Sequence, residues 1–143
     1  MCKSIYQKSA QCAFNNAAQA IVAAGTPIEI LGRLVCDTGC SIKTDNGGFT
    51  IYSNGLYRFS FDITATAISE TAGSLVLQLY NGTDPLPCAT ETVSVVQNDV
   101  EPLHVETTLQ LHSCDGVRPM INAVLSGVTA TVSHVCASAI KLA

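Results

Sequence analysis

The residues of this chain that could do chemistry are its cysteines and histidines, and four of them fall into two short motifs. Cys36 and Cys40 lie four positions apart, and His112 lies two positions before Cys114. Thiolates and imidazoles are ligands of zinc, and a structural zinc site needs four of them. The spacing of Cys36 and Cys40 differs from the common Cys-x-x-Cys clip, which makes zinc the weaker hypothesis. The alternatives are a disulfide and buried free thiols.

No arrangement typical of an enzyme accompanies these motifs. The sequence has no Gly-x-Ser-x-Gly nucleophile turn and no phosphate-binding loop. Asp62, Glu91 and Glu106 are interpreted as surface residues of strands, whereas a catalytic carboxylate pair needs close spacing in a cleft. His104 and His112 fall on the polar face of a predicted strand, where solvated side chains are expected. We therefore expect a structural or binding protein that is not an enzyme and needs no cofactor or metal.

The stretch 54–67 organises the elements that position these residues. It begins with an Asn-Gly turn, and from Tyr57 to Ala65 every second residue is apolar or small while polar residues lie between them. Strand side chains alternate between two faces, so this pattern predicts a long strand with one buried and one solvated face. Segments 74–80 and 103–111 alternate in the same way. Eight or nine such strands, separated by turn residues, predict an all-β sandwich, barrel or jelly roll.

Three other segments carry less regular patterns. Residues 10–24 contain seven alanines and end before a Gly-x-Pro stop, which favours a short helix as much as a strand. A strand is predicted over 27–36 with a bulge at Gly32, followed by a turn over 36–40. The final segment, 128–142, is predicted to be a strand that is apolar on both faces, which is typical of a strand covered on both sides.

The composition limits the classes of protein that this chain can belong to. Its 143 residues fit one domain, and charged residues make up 13% of them, against about 25% in a typical soluble domain. The net charge of −4 gives no basic surface for nucleic acid. With 48% apolar residues, one copy has few charges to cover its outside, so we expect part of the surface to meet another subunit.

The first twelve residues are interpreted as an arm, and residues 13–143 as a single domain. The arm lacks the apolar run of an export signal, and no segment approaches the roughly 20 apolar residues of a membrane span. We therefore expect synthesis in a cytoplasm and no membrane partner. The arm residues expected to anchor the chain to a partner are Lys3, Ile5, Tyr6 and Lys8.

Spaced β-patterns with a Gly-x-Tyr motif and an Asn-Gly turn run through residues 12–143. The segments that carry them are 20–28, 54–59, 73–82, 85–87 and 130–133. Together they resemble the bacterial and phage branch of the complement-globular-head and tumour-necrosis-factor-like jelly rolls. That branch includes heads of spore-surface collagen-like glycoproteins and small structural proteins of Firmicutes phages. The resemblance implies an all-β, two-sheet antiparallel jelly roll of ten strands, assembled as a homotrimer, with 20–30 as its first strand.

The resemblance also implies a threefold axis lined by apolar side chains. The residues expected at this trimer interface are Tyr57, Phe59, Val132, Val135, Ala137, Ala139, Ile140 and Leu142. Calcium, which some eukaryotic relatives hold near the axis, is not expected because no clustered pair of aspartates is present. The chain lacks the collagen-like stalk of the spore proteins, which favours a small unit attached to a capsid.

The loops at one end of a jelly roll can meet, which makes a disulfide of Cys36 or Cys40 with Cys114 the favoured interpretation of the cysteine motifs. Virions leave the reducing cytoplasm, so such a bond can form late. Cys136 lies in an apolar segment and is expected to be a buried free thiol that acts as a small hydrophobic residue.

These observations predict a phage or prophage virion structural protein on the virion surface. It would be a trimeric capsid decoration or head-fibre unit, and its arm would bind the major capsid protein or another virion protein. The alternative is a receptor- or glycan-binding module of a virion or spore, for which Tyr52 and Tyr80 are the candidate contacts to a host-surface glycan.

Overall fold

The computed structural model describes residues 8–114 and 116–143, and these residues contain strands and no helix, hence none able to cross a membrane. Twelve strands follow one another along these described residues. They are β1 (Ala10–Asn15), β2 (Gln19–Ile21), β3 (Thr26–Pro27), β4 (Arg33–Thr38), β5 (Ile42–Asp45), β6 (Gly48–Ile51), β7 (Gly55–Ala67), β8 (Gly73–Asn81), β9 (Asp84–Val95), β10 (Val100–Leu111), β11 (Met120–Gly127) and β12 (Ala130–Lys141).

The strands form two antiparallel sheets that share one core. The first sheet has the order β10-β7-β12-β1-β4, with β2 paired to one end of β12. The second has the order β5-β6-β11-β8-β9, with β3 paired to β11. Ten strands thus make two five-stranded sheets, and two short strands extend them. This is the all-β, two-sheet jelly roll that the sequence predicted.

Strand β7 supplies the aromatic centre of the core. Tyr57, Phe59 and Phe61 are fully buried, and Phe49 of β6 packs against the last two with ring centroids 6.2 and 5.7 Å away. Strand β7 pairs with β10 on one side and with β12 on the other. Its predicted alternation is confirmed, because its apolar face fills the space between the sheets and its polar face points away from them.

The alanine-rich segment 10–24 is extended. Strand β1 pairs with β12 and with β4, and β2 pairs with β12. Asn15, at the end of β1, is buried, and its side-chain amide donates to the carbonyl of Glu29 at 3.0 Å. Pairing on both sides of β1 outweighs the modest helix propensity of alanine. The arm assigned to residues 1–12 overlaps β1 by three residues.

The strand predicted over 27–36 is interrupted around Gly32. A Cβ atom at this glycine would lie 2.9 Å from the Cα atom of Asn15, and its backbone N–H donates to the carbonyl of Phe14 at 2.9 Å. The chain therefore passes close to β1 at this point before β4 begins. Because β4 continues to Thr38, the turn predicted over 36–40 occupies only the end of that range.

The face of β12 that points into the core is apolar throughout, whereas its other face carries mostly polar side chains, so the prediction of two apolar faces is wrong. A bulge lies between Val132 and His134 and shifts the alternation by one position. Ser133 and His134 are both outside the core, whereas Val135 points into it. Apolar residues at even and odd positions thus reach the same face of the sheet.

The structure also corrects the prediction for the trimer interface. Six of its eight residues are 0–1% exposed within a single chain: Tyr57, Phe59, Val132, Val135, Ala137 and Ala139. A side chain packed inside one sandwich cannot also contact a neighbouring copy. Of the eight, only Ile140, which is half-buried, and Leu142, which is 41% exposed, reach the surface.

Candidate interaction surface

The face of the first sheet that points away from the core is here called the outer face. Its middle carries small and apolar side chains that their own chain buries only in part: Ala10, Cys12 and Phe14 on β1, and Ser138 and Ile140 on β12. None of these five side chains is charged, and the long side chains of Arg58 and Arg33 stand at the border of the area, opposite Ile140 and Phe14. Another protein surface can therefore approach the sheet closely here.

A row of charged residues runs along the β7–β10 side of the outer face. Asp62 and His104 lie directly opposite each other, with 2.6 Å between Asp62 Oδ1 and His104 Nδ1. Glu106 Oε2 lies 3.5 Å from His104 Nε2, and Arg58 Nε lies 3.6 Å from Glu106 Oε1. The hydrogen bond to Asp62 raises the pKa of His104 above its ordinary value. His104, expected to be a solvated residue without a role, thus belongs to a network of four ionisable groups.

Three thiols lie together on the outer face. Cys12 is the direct register partner of Cys36 across β1 and β4, and Cys136 stands on β12 opposite Phe14. Burial raises the pKa of the Cys12 thiol, and the neighbouring thiols of Cys36 and Cys136 add to this effect. Cys136 is exposed, so the prediction that it is buried is wrong.

The predicted disulfide with Cys114 is not formed. Cys114 and Cys36 are free thiols, which excludes both proposed pairings, Cys36–Cys114 and Cys40–Cys114. Cys36 faces β1 in the first sheet, whereas Cys114 lies in the loop between β10 and β11. Among residues 8–114 and 116–143, no group of three or more histidine, cysteine or carboxylate side chains is placed to hold a metal ion.

A groove of about 380 Å³ opens at one end of the sandwich, where the β8–β9 turn meets the β10–β11 loop. Its lining includes the turn residues 81–84 together with His112 and Arg118. The Arg118 guanidinium carbon lies 4.3 Å from the ring centroid of Tyr52. Tyr52 is 40% exposed, and one face of its ring is occupied by this cation.

The first described residues of the chain enter at this same end. The Ser9 carbonyl accepts a hydrogen bond from Lys141 N, and Ser9 Oγ accepts one from Ser41 N. The Ser41 carbonyl in turn accepts from the backbone N–H of Tyr52 at 2.8 Å. Lys8 is exposed there. The other three predicted anchor residues, Lys3, Ile5 and Tyr6, lie outside the described residues.

Solved structures of the same architecture match almost the whole chain. PRD1 vertex protein P5 has a TM-score of 0.63 at 14% identity, with 94% of this chain and 97% of that chain covered. Murine APRIL at pH 8.0 has a TM-score of 0.64 at 11% identity, covering 94% and 99%. Eiger TNF from S. frugiperda has a TM-score of 0.59 at 11% identity, covering 95% and 92%. No protein-family model matches the sequence, and no curated protein matches it. At these identities the likeness establishes the fold.

Proposed function

From the tumour-necrosis-factor-like jelly-roll fold of this chain, we propose that it is a structural protein of a phage or prophage virion. In this proposal it forms a trimeric unit on the capsid surface, attached through its N-terminal residues. The observation that carries the proposal is the likeness to a phage vertex protein, PRD1 P5, over 94% of this chain and 97% of that one. The likeness extends over the whole domain and is not confined to one motif. This extent supports a similar structural role in a virion.

The outer face is the self-association surface in this proposal, in place of the buried residues inferred from the sequence. Its half-buried small side chains allow a close approach, and the charged row offers both signs of charge to a neighbouring copy. The adjoining edge strand β4 exposes Leu34 and Val35, which are 37% and 57% exposed. Natural sheets protect such edges, so coverage by another copy fits this arrangement.

The oligomeric state tests this part of the proposal. Light scattering on purified protein at micromolar concentration should give three times the protomer mass. Ser138→Arg places a long cation in the middle of the outer face and should yield a monomer that remains folded. Thr92→Arg, on the exposed face of β9, is the matched control and should remain trimeric. A wild-type monomer, or equal masses for both variants, would contradict the proposed interface.

Attachment to the particle is tested separately. The deletion should end before Ser9, because Ser9 bonds to Lys141 and Ser41 and its loss would disturb the fold. A chain without residues 2–8 should form the same trimer and fail to sediment with capsids, whereas the full chain should sediment with them. Capsid binding that survives this deletion would assign attachment to another part of the protein.

The groove favours a second candidate function, recognition of a host-surface glycan. Asp84, His112 and Arg118 give it polar side chains of the kind that bind sugar hydroxyl groups. However, the Tyr52 ring is partly covered by Arg118, and the groove lies at the end where the proposed anchor enters. Glycan-array binding by the purified trimer, abolished by Asp84→Ala, would favour this second function over capsid attachment at that end.

A further inference from the structure

Cys12 and Cys36 meet across the first pair of strands at the edge of the first sheet. They are register partners in the β1–β4 ladder, both are half-buried on the outer face, and both carry free thiols. The Cys36 sulfur leans over β1, 3.9 Å from the carbonyl oxygen of Ala10. We propose that Cys12 and Cys36 form a reversible cross-strand disulfide that fastens β4 to the sheet.

The backbone spacing at this position suits the bond. Directly opposed residues of an antiparallel ladder have Cα atoms about 4.5–5.5 Å apart, and disulfides join Cα atoms about 4.4–6.8 Å apart. Cys136 is the competing partner of Cys12, but the residue opposite Cys12 on β12 is Ser138. Cys136 is therefore a diagonal neighbour, for which about 7–8 Å is usual. The strand pairing thus favours Cys36 over Cys136 as the disulfide partner of Cys12.

The position of β4 gives the bond a structural effect. Among the described residues, strand β4 pairs with β1 alone, and the register of that pair shifts next to Cys12. A link from Cys12 to Cys36 closes a loop of about 24 residues that contains β2 and β3, which restricts the unfolded chain. It would hold the edge strand to the proposed self-association surface, of which Cys12 is a part, although the pairing itself does not depend on the proposed function.

The oxidation requires a small-molecule disulfide such as oxidised glutathione. One protein thiol loses its proton, and the thiolate attacks the oxidant and releases one reduced glutathione. The second protein thiolate then attacks the mixed disulfide and releases the second glutathione. Two electrons pass to the oxidant, and a dithiol reverses the reaction. Because burial and the neighbouring thiols raise the pKa of Cys12, the reaction should be faster in mildly alkaline solution.

Peptide mapping tests the pairing in the full chain. The protein is treated with oxidised glutathione, alkylated, and cut with trypsin and Asp-N. Cleavage after Lys8 and Arg33 and before Asp37 isolates residues 9–33 and 34–36, which separates Cys36 from Cys40. We expect a disulfide to link these two peptides, and reduction with dithiothreitol to separate them. A Cys12–Cys136 link, or glutathione on Cys12 and Cys36 without a link between them, would overturn the proposal.

The melting temperature gives a second, independent readout. Oxidation should raise the melting temperature by roughly 5–10 °C in the wild type. The disulfide closes the loop between Cys12 and Cys36 and so lowers the conformational entropy of the unfolded chain. The same rise is expected in Cys136→Ser and in Cys88→Ser, whose thiol lies exposed on the second sheet. Cys36→Ser should show no rise. An equal shift in Cys36→Ser would assign the stabilisation to another pair, and the peptide map of the wild type decides the pairing even if a variant folds poorly.

Discussion

At the scale of single residues, a few polar side chains inside the sandwich join parts that are distant in sequence. Gln11 of β1 is 2% exposed and donates from its side-chain amide to Asp37 of β4. Its side-chain oxygen accepts a hydrogen bond from Thr44 of β5 at 2.8 Å, so Gln11 links the two sheets. Sequence patterns did not indicate this role, because both partners lie more than twenty positions away.

Gln11→Ala should lower the free energy of unfolding by about 1–3 kcal/mol, because the Thr44 hydroxyl loses its acceptor and Asp37 loses a donor. Chemical denaturation measures this loss. Gln110→Ala on β10 is the matched control, since Gln110 is exposed, and it should change stability little. Equal losses in both variants would show that Gln11 does not join the sheets.

His104 should make stability weakly dependent on pH. The bond to Asp62 raises the pKa of His104 above 6.5, so the folded protein binds this proton more tightly than the unfolded chain does. The stabilisation is fully present below about pH 6.5 and is lost as pH rises through the higher folded value. Because the pair is about half exposed, the effect should be a few tenths of a kcal/mol.

Denaturation midpoints at about pH 5 and about pH 8 measure this dependence. His104→Gln should reduce the difference between the two midpoints, whereas His112→Gln, at the end groove, is the control. A difference that persists in His104→Gln would assign the pH dependence to other groups.

At the scale of elements, regular alternation of apolar and polar residues predicted the strands reliably. Where the alternation was irregular, packing against neighbouring strands determined the structure. Strand β7 keeps its alternation of buried and less buried side chains over its whole length, so its two faces could be predicted from the sequence. The segment 10–24 could not be assigned, because small residues suit a helix and also suit a strand packed between two neighbours. The bulge after Val132 reversed the face of each following residue in β12, and local sequence does not mark it. The positions of the predicted interface residues on β12 depended on that bulge.

The turn between β11 and β12 requires glycine. Gly127 has a φ angle of +116°, and a Cβ atom there would overlap the Ser74 carbonyl oxygen. Gly127→Ala should therefore destabilise the fold by roughly 2–4 kcal/mol. Gly82 is the matched control, because its φ is +63° and, among the described residues beyond its two chain neighbours, no heavy atom lies within 4 Å of the position that an alanine methyl group would take. Gly82→Ala should cost about 1–2 kcal/mol, and thermal unfolding compares the two.

At the scale of the whole molecule, the fold was accessible from the sequence and the surfaces were not. Composition indicated self-association, but the apolar residues chosen for it, such as Phe59 and Val135, fill the core of one chain. The outer face instead combines small side chains with Cys12 and a charged row around His104. These residues are far apart in sequence, and only the pairing of the first sheet brings them to one surface.

A trimer in equilibrium with its protomer should melt at a temperature that depends on protein concentration, because association favours the folded state. The melting temperature of the wild type should rise as concentration increases tenfold, and that of Ser138→Arg should not. Calorimetry at several concentrations measures this. A wild-type melting temperature that is independent of concentration would leave the outer face as a free surface of a monomer.

Strand β7 runs from the end where Ser9 enters to the opposite end of the sandwich, and its 13 residues span roughly 40 Å. The exposed loop 68–72 that follows it therefore lies at the tip furthest from the proposed attachment point. A foreign peptide grafted into this loop would be presented outward, clear of the sheet faces. In the proposed trimer, each unit would carry three copies of the grafted peptide.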